Sequence, residues 1–242
     1  MQELIRLSKL MSLRNICSRR EAEYFIENKQ VMVDSKLITE QGTKVSIEAK
    51  ITLLDAAKKK QNEKVTVLLN KPVGYVSCMP EKGYKQASEL ITKENLHRTG
   101  NQTYKHFKLD KLSVAGRLDI DSKGLLVLTQ DGVLAKKIIG ENSNIEKEYL
   151  VRFSGEIDDS KIKELCFGLS LYGKDLKKAK VKLLNEDILQ VILKEGKKRQ
   201  IRKMLEAVDL KVLSLKRVRI GKVTLSDLPL GKWRFLDKSE EF

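Results

Sequence analysis

The sequence predicts an α+β chain in two domains, and three observations carry that expectation. Apolar runs of strand length recur, as in Val65–Asn70, Leu125–Leu128 and Ile188–Leu193. Between them lie stretches with apolar residues at helical spacing, such as Ile201, Met204, Leu205 and Val208, which satisfy the i, i+3, i+4, i+7 rule. A lysine-rich stretch, Ala56–Lys64, interrupts both patterns and divides the chain. The expected division is residues 1–55, a linker at 56–64, and a larger domain at 65–242.

Charge narrows the partners. The 242 residues hold 48 Lys and Arg against 33 Asp and Glu, for a net charge of +15. An excess of this size suits a polyanion, and nucleic acid is the simplest one. An anionic membrane is the rival, but no apolar run approaches the ~20 residues that span a bilayer. The opening Met1-Gln-Glu-Leu-Ile-Arg lacks the apolar core of a signal peptide,. Cys17, Cys78 and Cys166 are odd in number and lack C-x-x-C spacing, as in reduced cytoplasmic thiols. The two histidines, His97 and His106, fall in a polar segment and suggest neither a catalytic base nor a metal site. Any chemistry is left to carboxylate, Tyr, Lys or Arg.

In the first segment, Leu4, Leu7, Leu10 and Met11 predict a short amphipathic helix,. Ser18-Arg-Arg-Glu21 fits a capping box for a second helix with Ala22, Phe25 and Ile26 inward,. Val31–Ile38 reads as a hairpin around Asp34-Ser35, and Gly42–Ser46 and Ile51–Leu54 supply more strand,. This order, with Arg6-Leu-Ser-Lys-Leu, Cys17-Ser-Arg-Arg-Glu-Ala-Glu and Gln41-Gly-Thr-Lys-Val45, resembles the S4 (alpha-L) RNA-binding module. The resemblance implies that Lys9, Ser18, Arg19 and Arg20 face RNA at the start of the second helix. One departure is Asp34-Ser35, where such modules usually carry Asn-Gly.

In the second segment, Val65–Asn70 is a strand stopped by Lys71-Pro-Val-Gly74, with Tyr75–Cys78 as its expected return,. Lys71 either contacts phosphate or solvates the turn. Glu89–Lys111 reads as an exposed insertion. Then comes Val114-Ala-Gly-Arg-Leu-Asp-Ile-Asp-Ser-Lys-Gly-Leu-Leu-Val-Leu-Thr129, which sets Asp119 and Asp121 ahead of a strand buried on both faces,. Read alone, these aspartates either perform chemistry or only cap turns. Helices are expected after Asp131-Gly132 and Asp158, strands at Glu146–Phe153 and Val212–Ile220, and a hairpin around Asn185-Glu-Asp187. In Glu195–Leu205 the basic residues Lys197, Lys198, Arg199 and Arg202 cluster near a helix start, where cations oppose the dipole and call for an anion. That anion is an RNA phosphate for Lys197, Lys198 or Arg199 and a protein carboxylate for Arg202, with a surface pair between Arg202 and Glu206 as the plain alternative. Trp233 is expected to be packing.

Four blocks stand in order behind the N-terminal segment: Asn70-Lys-Pro-Val-Gly74, Gly116-Arg-Leu-Asp119, Lys147-Glu-Tyr-Leu-Val151 and Glu195-Gly-Lys-Lys-Arg-Gln-Ile-Arg202. In combination they resemble the RsuA family of ribosomal RNA pseudouridine synthases. Asn144–Val151 and Pro229-Leu-Gly-Lys-Trp-Arg look nearest the RluF branch. The resemblance implies a catalytic domain with a central mixed, mainly antiparallel sheet flanked by helices. It implies isomerisation of a uridine to pseudouridine, with no cofactor and no metal. Asp119 would be the nucleophile, attacking C1′, attacking C6 or acting after glycal formation. Arg202 would pair with Asp119, and Tyr149 would pack on the target base. Arg117 would help extrude the nucleotide or bind phosphate, and Asp121 would be loop structure. The implied partner is ribosomal RNA, of the large (23S) subunit, acted on by a monomer in the cytoplasm. A small-subunit or transfer-RNA synthase and a non-catalytic S4-type assembly factor are the alternatives.

Overall fold

The computed structural model describes residues 4–79, 83–98 and 107–242. The chain forms two compact units, one of Met1–Val65 with Thr129–Leu134, the other of Thr66–Leu128 and Ala135–Phe242.

In the N-terminal unit, the helix expected from Leu4 begins three residues later. β1 (Leu4–Arg6) precedes α1 (Leu7–Leu13) and pairs antiparallel with β4 (Lys44–Ser46). The Leu7 amide donates to the Thr43 carbonyl at 2.8 Å, so strand pairing claims the residues that helical spacing alone would assign to a first turn. α2 (Arg19–Glu27) is capped at both ends of the box, Ser18 accepting from the Glu21 amide and Glu21 from the Ser18 amide. β2 (Val31–Val33) lies between β3 (Lys36–Ile38) and β5 (Ile51–Leu53). Asp34 and Ser35, at φ 46° and 66°, both take the left-handed conformation that a two-residue hairpin turn needs. Asp34 Oδ1 accepts from the Lys50 amide at 2.9 Å, which holds the turn without Asn-Gly.

The expected linker at 56–64 is instead mostly helix: α3 spans Asp55–Asn62. Ala57 is fully buried in a core with Leu7, Leu10, Met11, Phe25 and Ile26, and the Gln61 amide donates to the Ile16 carbonyl at 2.9 Å. One small apolar face was enough to dock a lysine-rich helix. Lys64 then pairs with Glu21 at 2.5 Å. Gly132 packs against Ser18 so closely that a Cβ would sit 2.5 Å from the Ser18 Cβ.

The larger unit is built on a mixed, mainly antiparallel sheet. Its strands are β6 (Thr66–Lys71), β9 (Ser113–Val114), β10 (Lys123–Thr129), β11 (Lys147–Ser154), β14 (Lys180–Asn185), β15 (Ile188–Leu193), β16 (Lys211–Ile220), β17 (Val223–Thr224) and β18 (Trp233–Phe235). The order is β14-β15-β11-β16-β10-β6-β18, with β17 on β16 and β9 on β10; β10 and β16 are parallel. β10 is an interior strand between β16 and β6, and Leu125 to Leu128 are essentially inaccessible, as a strand covered on both faces must be. α4 (Gly132–Ile139), α5 (Asp159–Cys166) and α6 (Gln200–Glu206) complete the chain. A small hairpin, β12 (Ser170–Leu171) with β13 (Lys174–Asp175), precedes β14.

Two expectations need correction here. Tyr75–Cys78 is no return strand: β7 (Tyr75–Val76) pairs in parallel with β8 (Lys85–Gln86). The Glu89–Lys111 segment, expected to be exposed, is anchored at its described ends. Ile91 is buried, the His97 amide donates to the Trp233 carbonyl, and Phe107 meets Trp233 edge-on at 6.0 Å. Trp233 is fully buried and its indole donates to the Thr92 carbonyl at 2.7 Å, so the tryptophan is the anchor. His106 lies outside the described residues.

Candidate active site

The loop from Ala115 to Ser122 is pinned at nearly every residue. The Ala115 amide donates to the Val127 carbonyl at 2.8 Å. Arg217, only 2% exposed, lies against the loop and donates from Nη2 to the Gly116 carbonyl at 2.8 Å and from Nη1 to that of Arg117 at 3.4 Å, while its Nε donates to Leu125 at 2.8 Å. Ser77 Oγ accepts from the Leu118 amide at 2.9 Å and donates to the Leu118 carbonyl at 2.5 Å. The Gly74 amide donates to Ile120 at 2.9 Å and the Ser122 amide to Asp119 at 3.1 Å. Such a frame holds a side chain in one place. Its two carboxylates remain accessible, with Asp119 33% and Asp121 40% exposed.

Gly116 and Gly124 make the frame possible. Gly116 stands at φ +96° against Arg217. Gly124 stands at φ +108°, and a Cβ there would lie 2.2 Å from the Arg217 carbonyl oxygen. The parallel strands β10 and β16 can approach this closely only without a side chain.

Four cations lie against the two carboxylates or behind the loop that carries them. Arg202 Nη2 lies 3.0 Å from Asp121 Oδ1 and donates to the Asp121 carbonyl at 3.0 Å and Ser122 Oγ at 3.3 Å. Arg199 Nη2 pairs with Asp121 at 3.3 Å, and its Nη1 lies 3.9 Å from Asp119 Oδ2. The expected Arg202–Asp119 pair is therefore not formed; Arg202 holds Asp121, and Arg199 is the arginine beside Asp119. Arg199 leads into α6 and Arg202 stands on its first turn, so both arginines reach the same loop, and the nearer carboxylate takes both. Arg199 itself sits at φ +52° just ahead of α6. Asp121 is thus more than loop structure, since it fixes the arginines that Asp119 faces.

Lys71 is the third cation. It is fully buried and donates to the carbonyls of Pro72 and Tyr75, each at 2.8 Å, so it is not the phosphate contact expected of it. Burial lowers its pKa from 10.5 to about 8, opposed by the Asp121 and Asp119 charges and aided by Arg217. Arg217, the fourth, also faces Tyr149, its Cζ lying 6.0 Å from the ring centroid. Tyr149 is 9% exposed. Lys147, two residues earlier on the same strand face, is buried as well, and desolvation beside Arg217 and Lys177 lowers it to about 8.

The remaining expected residues fall in three places. Lys9, Arg19 and Arg20 line a 550 Å³ cavity of the N-terminal unit with Arg6 and Lys44, while Ser18 is spent on its helix cap. Arg117, on the pinned loop, and Lys198 are both exposed. Lys197 donates to the Lys174 and Asp175 carbonyls, at 3.4 and 3.2 Å. Cys17 is excluded as a nucleophile, because burial pushes its thiol up to about 12,. Sequence reasoning missed Arg217 and Ser77. Arg217 alternates correctly within its strand, so only its polar character on a core-facing position could have marked it.

A family profile described as RNA pseudouridylate synthase matches residues 65–207. The chain belongs to the RNA pseudouridylate synthase family. It is an enzyme of the RsuA/RluF branch, an isomerase. An uncharacterized RNA pseudouridine synthase of Aquifex aeolicus is 34% identical, covering 98% of this chain and 94% of its own length. The dual-specificity RNA pseudouridine synthase RluF of Escherichia coli (strain K12) is 34% identical over 98% of this chain and 77% of its own. The ribosomal large subunit pseudouridine synthase B of Bacillus subtilis is 32% identical, covering 97% and 93%. A crystal structure of a pseudouridylate synthase superposes with a TM-score of 0.65 at 25% identity, covering 97% of both chains.

Proposed function

We propose that this synthase converts a uridine of large-subunit ribosomal RNA to pseudouridine, with Asp119 as the nucleophile. The observation that carries the reading is the pinned Ala115–Ser122 loop, in which Asp121 is held by Arg199 and Arg202 while the Asp119 carboxylate stays open, 3.9 Å from Arg199. The name of the Bacillus relative supports ribosomal RNA as the substrate, and that of the Escherichia relative supports RNA.

The reaction breaks C1′–N1, turns the uracil, and joins C1′ to C5, whose proton is released while N1 takes one up. No electrons are gained or lost, so acids, bases and a nucleophile suffice. Asp119 would hold the detached part covalently or stabilise the sugar cation. Arg199, 3.9 Å away, would keep its carboxylate aimed. Tyr149 would stack on the uracil, its ring backed by Arg217,. The exposed Arg117 and Lys198 would receive the phosphates flanking a nucleotide turned out of its stack,.

The N-terminal unit is proposed as an S4-type RNA-binding module, with Lys9, Arg19 and Arg20 as its phosphate contacts. Among the described residues no helix is long and apolar enough to cross a membrane, and the cytoplasm is the proposed location. Mapping pseudouridine in total RNA from cells with and without the gene tests the function. Loss of a large-subunit site is expected. An unchanged pseudouridine map would overturn the proposal.

A further inference from the structure

We infer that the sheet face opposite Tyr149 and Arg217 is a second RNA track, ending in a subsite for one ribose-phosphate formed by Lys123, Lys216 and Asn70. The inference rests on RNA being the substrate and concerns a surface that the isomerisation chemistry does not use.

Strand alternation defines the face. Arg217 turns toward the Asp119 loop, so its neighbour Lys216 points the other way. Lys123 is the lateral partner of Lys216 and shares its face. Asn70 likewise lies opposite Lys71, whose ammonium bonds the Pro72 and Tyr75 carbonyls. Continuing across the sheet, Lys216 is level with Leu150, Leu150 with Gln190, and Gln190 with Lys182. With strands about 4.8 Å apart, this row runs roughly 19 Å from Lys123 to Lys182. None of its three lysines has a carboxylate partner among the described residues. The acid beside the row, Glu148, is already neutralised by Arg219 Nε at 2.6 Å.

At the Lys123 end the row opens into a cavity of 370 Å³, bounded by Asn70, Lys123, Lys216, Ser226, Asp227 and the Leu228–Leu230 turn. Asn70 is 4% exposed. Its amide group donates to the Leu228 carbonyl at 2.7 Å, while its carboxamide oxygen has no partner among the described residues. Native proteins rarely leave a buried acceptor unmet unless a ligand or water completes it. A ribose 2′-hydroxyl is a donor of the right kind, and two unpaired ammonium groups suit the adjoining phosphate. Leu230, 57% exposed at the lip, offers an apolar surface to the sugar or base. Asp227 is the one carboxylate in the lining. It opposes a doubly charged monoester more than a singly charged diester, which favours a polynucleotide over free phosphate.

The test replaces both lysines, Lys123→Gln with Lys216→Gln, and measures binding of a large-subunit RNA fragment by fluorescence anisotropy across a salt series. Losing the one phosphate that the two lysines share should make the slope of log K against log salt shallower by about 0.7. The Lys123→Arg, Lys216→Arg pair should restore the wild-type slope. The inference is overturned if the Gln pair keeps that slope, or if the Arg pair loses binding as fully as the Gln pair. Loss of inorganic phosphate binding without loss of RNA binding would also overturn it. Binding needs no turnover, so an absence of pseudouridine would count against the isomerisation reading alone.

Discussion

Arg217→Met removes the buried group that joins the Asp119 loop to the sheet. The guanidinium makes two bonds of 2.8 Å, to Leu125 and Gly116, and a longer one of 3.4 Å to Arg117. Hydrogen bonds to a charged donor contribute about 1.5–3 kcal/mol each, and three buried carbonyls would lose their partner. Relief of guanidinium desolvation offsets part of that loss, leaving a net cost of about 3–5 kcal/mol. In a chain of this size each kcal/mol lowers Tm by roughly 2–4 °C, so calorimetry should show a fall of about 6–20 °C. Arg217→Lys should recover less than half of it, because one ammonium cannot span the carbonyls that a planar fork spans. Single-turnover pseudouridine formation should fall at least ~100-fold, since a misplaced nucleophile is costly even when present. A Met variant melting within about 2 °C of wild type and turning over at the wild-type rate would refute the loop-anchor reasoning.

Three further outcomes follow from the same geometry. Gly124→Ala would drive a Cβ to 2.2 Å from the Arg217 carbonyl at a φ of +108°; the variant should be insoluble or lose more than ~3 kcal/mol in denaturant titration. Arg202→Gln removes the contacts to Asp121 and Ser122 and should slow single turnover ~100-fold; an unchanged rate would reduce Arg202 to a surface residue. Lys71 sets a pH dependence. Its folded pKa near 8 lies below its ordinary 10.5, so between those values the unfolded chain binds a proton that the folded chain lacks. Stability attributable to Lys71 therefore rises by about 3 kcal/mol from pH 8 to 10.5, and below pH 8 the burial penalty is felt in full. The wild-type minus Lys71→Met stability difference, measured by urea unfolding, should follow that rise; a flat difference would contradict it.

Much of the fold was legible because it depends on local pattern. The apolar run Leu125–Leu128 could only be a strand covered on both faces. Ser18 and Glu21 carry their cap in four residues, and Ile201, Met204, Leu205 and Val208 show which way α6 turns. Pairing between distant segments was not legible. Leu4–Arg6 reads as helix until Lys44–Ser46 competes for its backbone, and a lysine-rich linker becomes α3 once Ala57 finds the core. The candidate site divides in the same way. Asp119, Arg199, Arg202 and Tyr149 could be singled out by block order. Which arginine meets which aspartate depends on where α6 docks, and a buried Arg217 looks in sequence like any strand arginine. Lys71 carried the same ambiguity: its charge suggests a ligand contact, whereas the carbonyls of Pro72 and Tyr75 tie it inside.

The central claim is that Asp119 performs the isomerisation while Asp121 holds the arginines. Release of tritium from RNA labelled at uridine C5 reports the C1′–C5 joining step directly. Asp119→Asn should release no tritium above background under single-turnover conditions, while Asp121→Asn, which keeps the nucleophile but loosens Arg199 and Arg202, should retain a slowed release. Release by the Asp119→Asn enzyme at the wild-type rate would contradict the account.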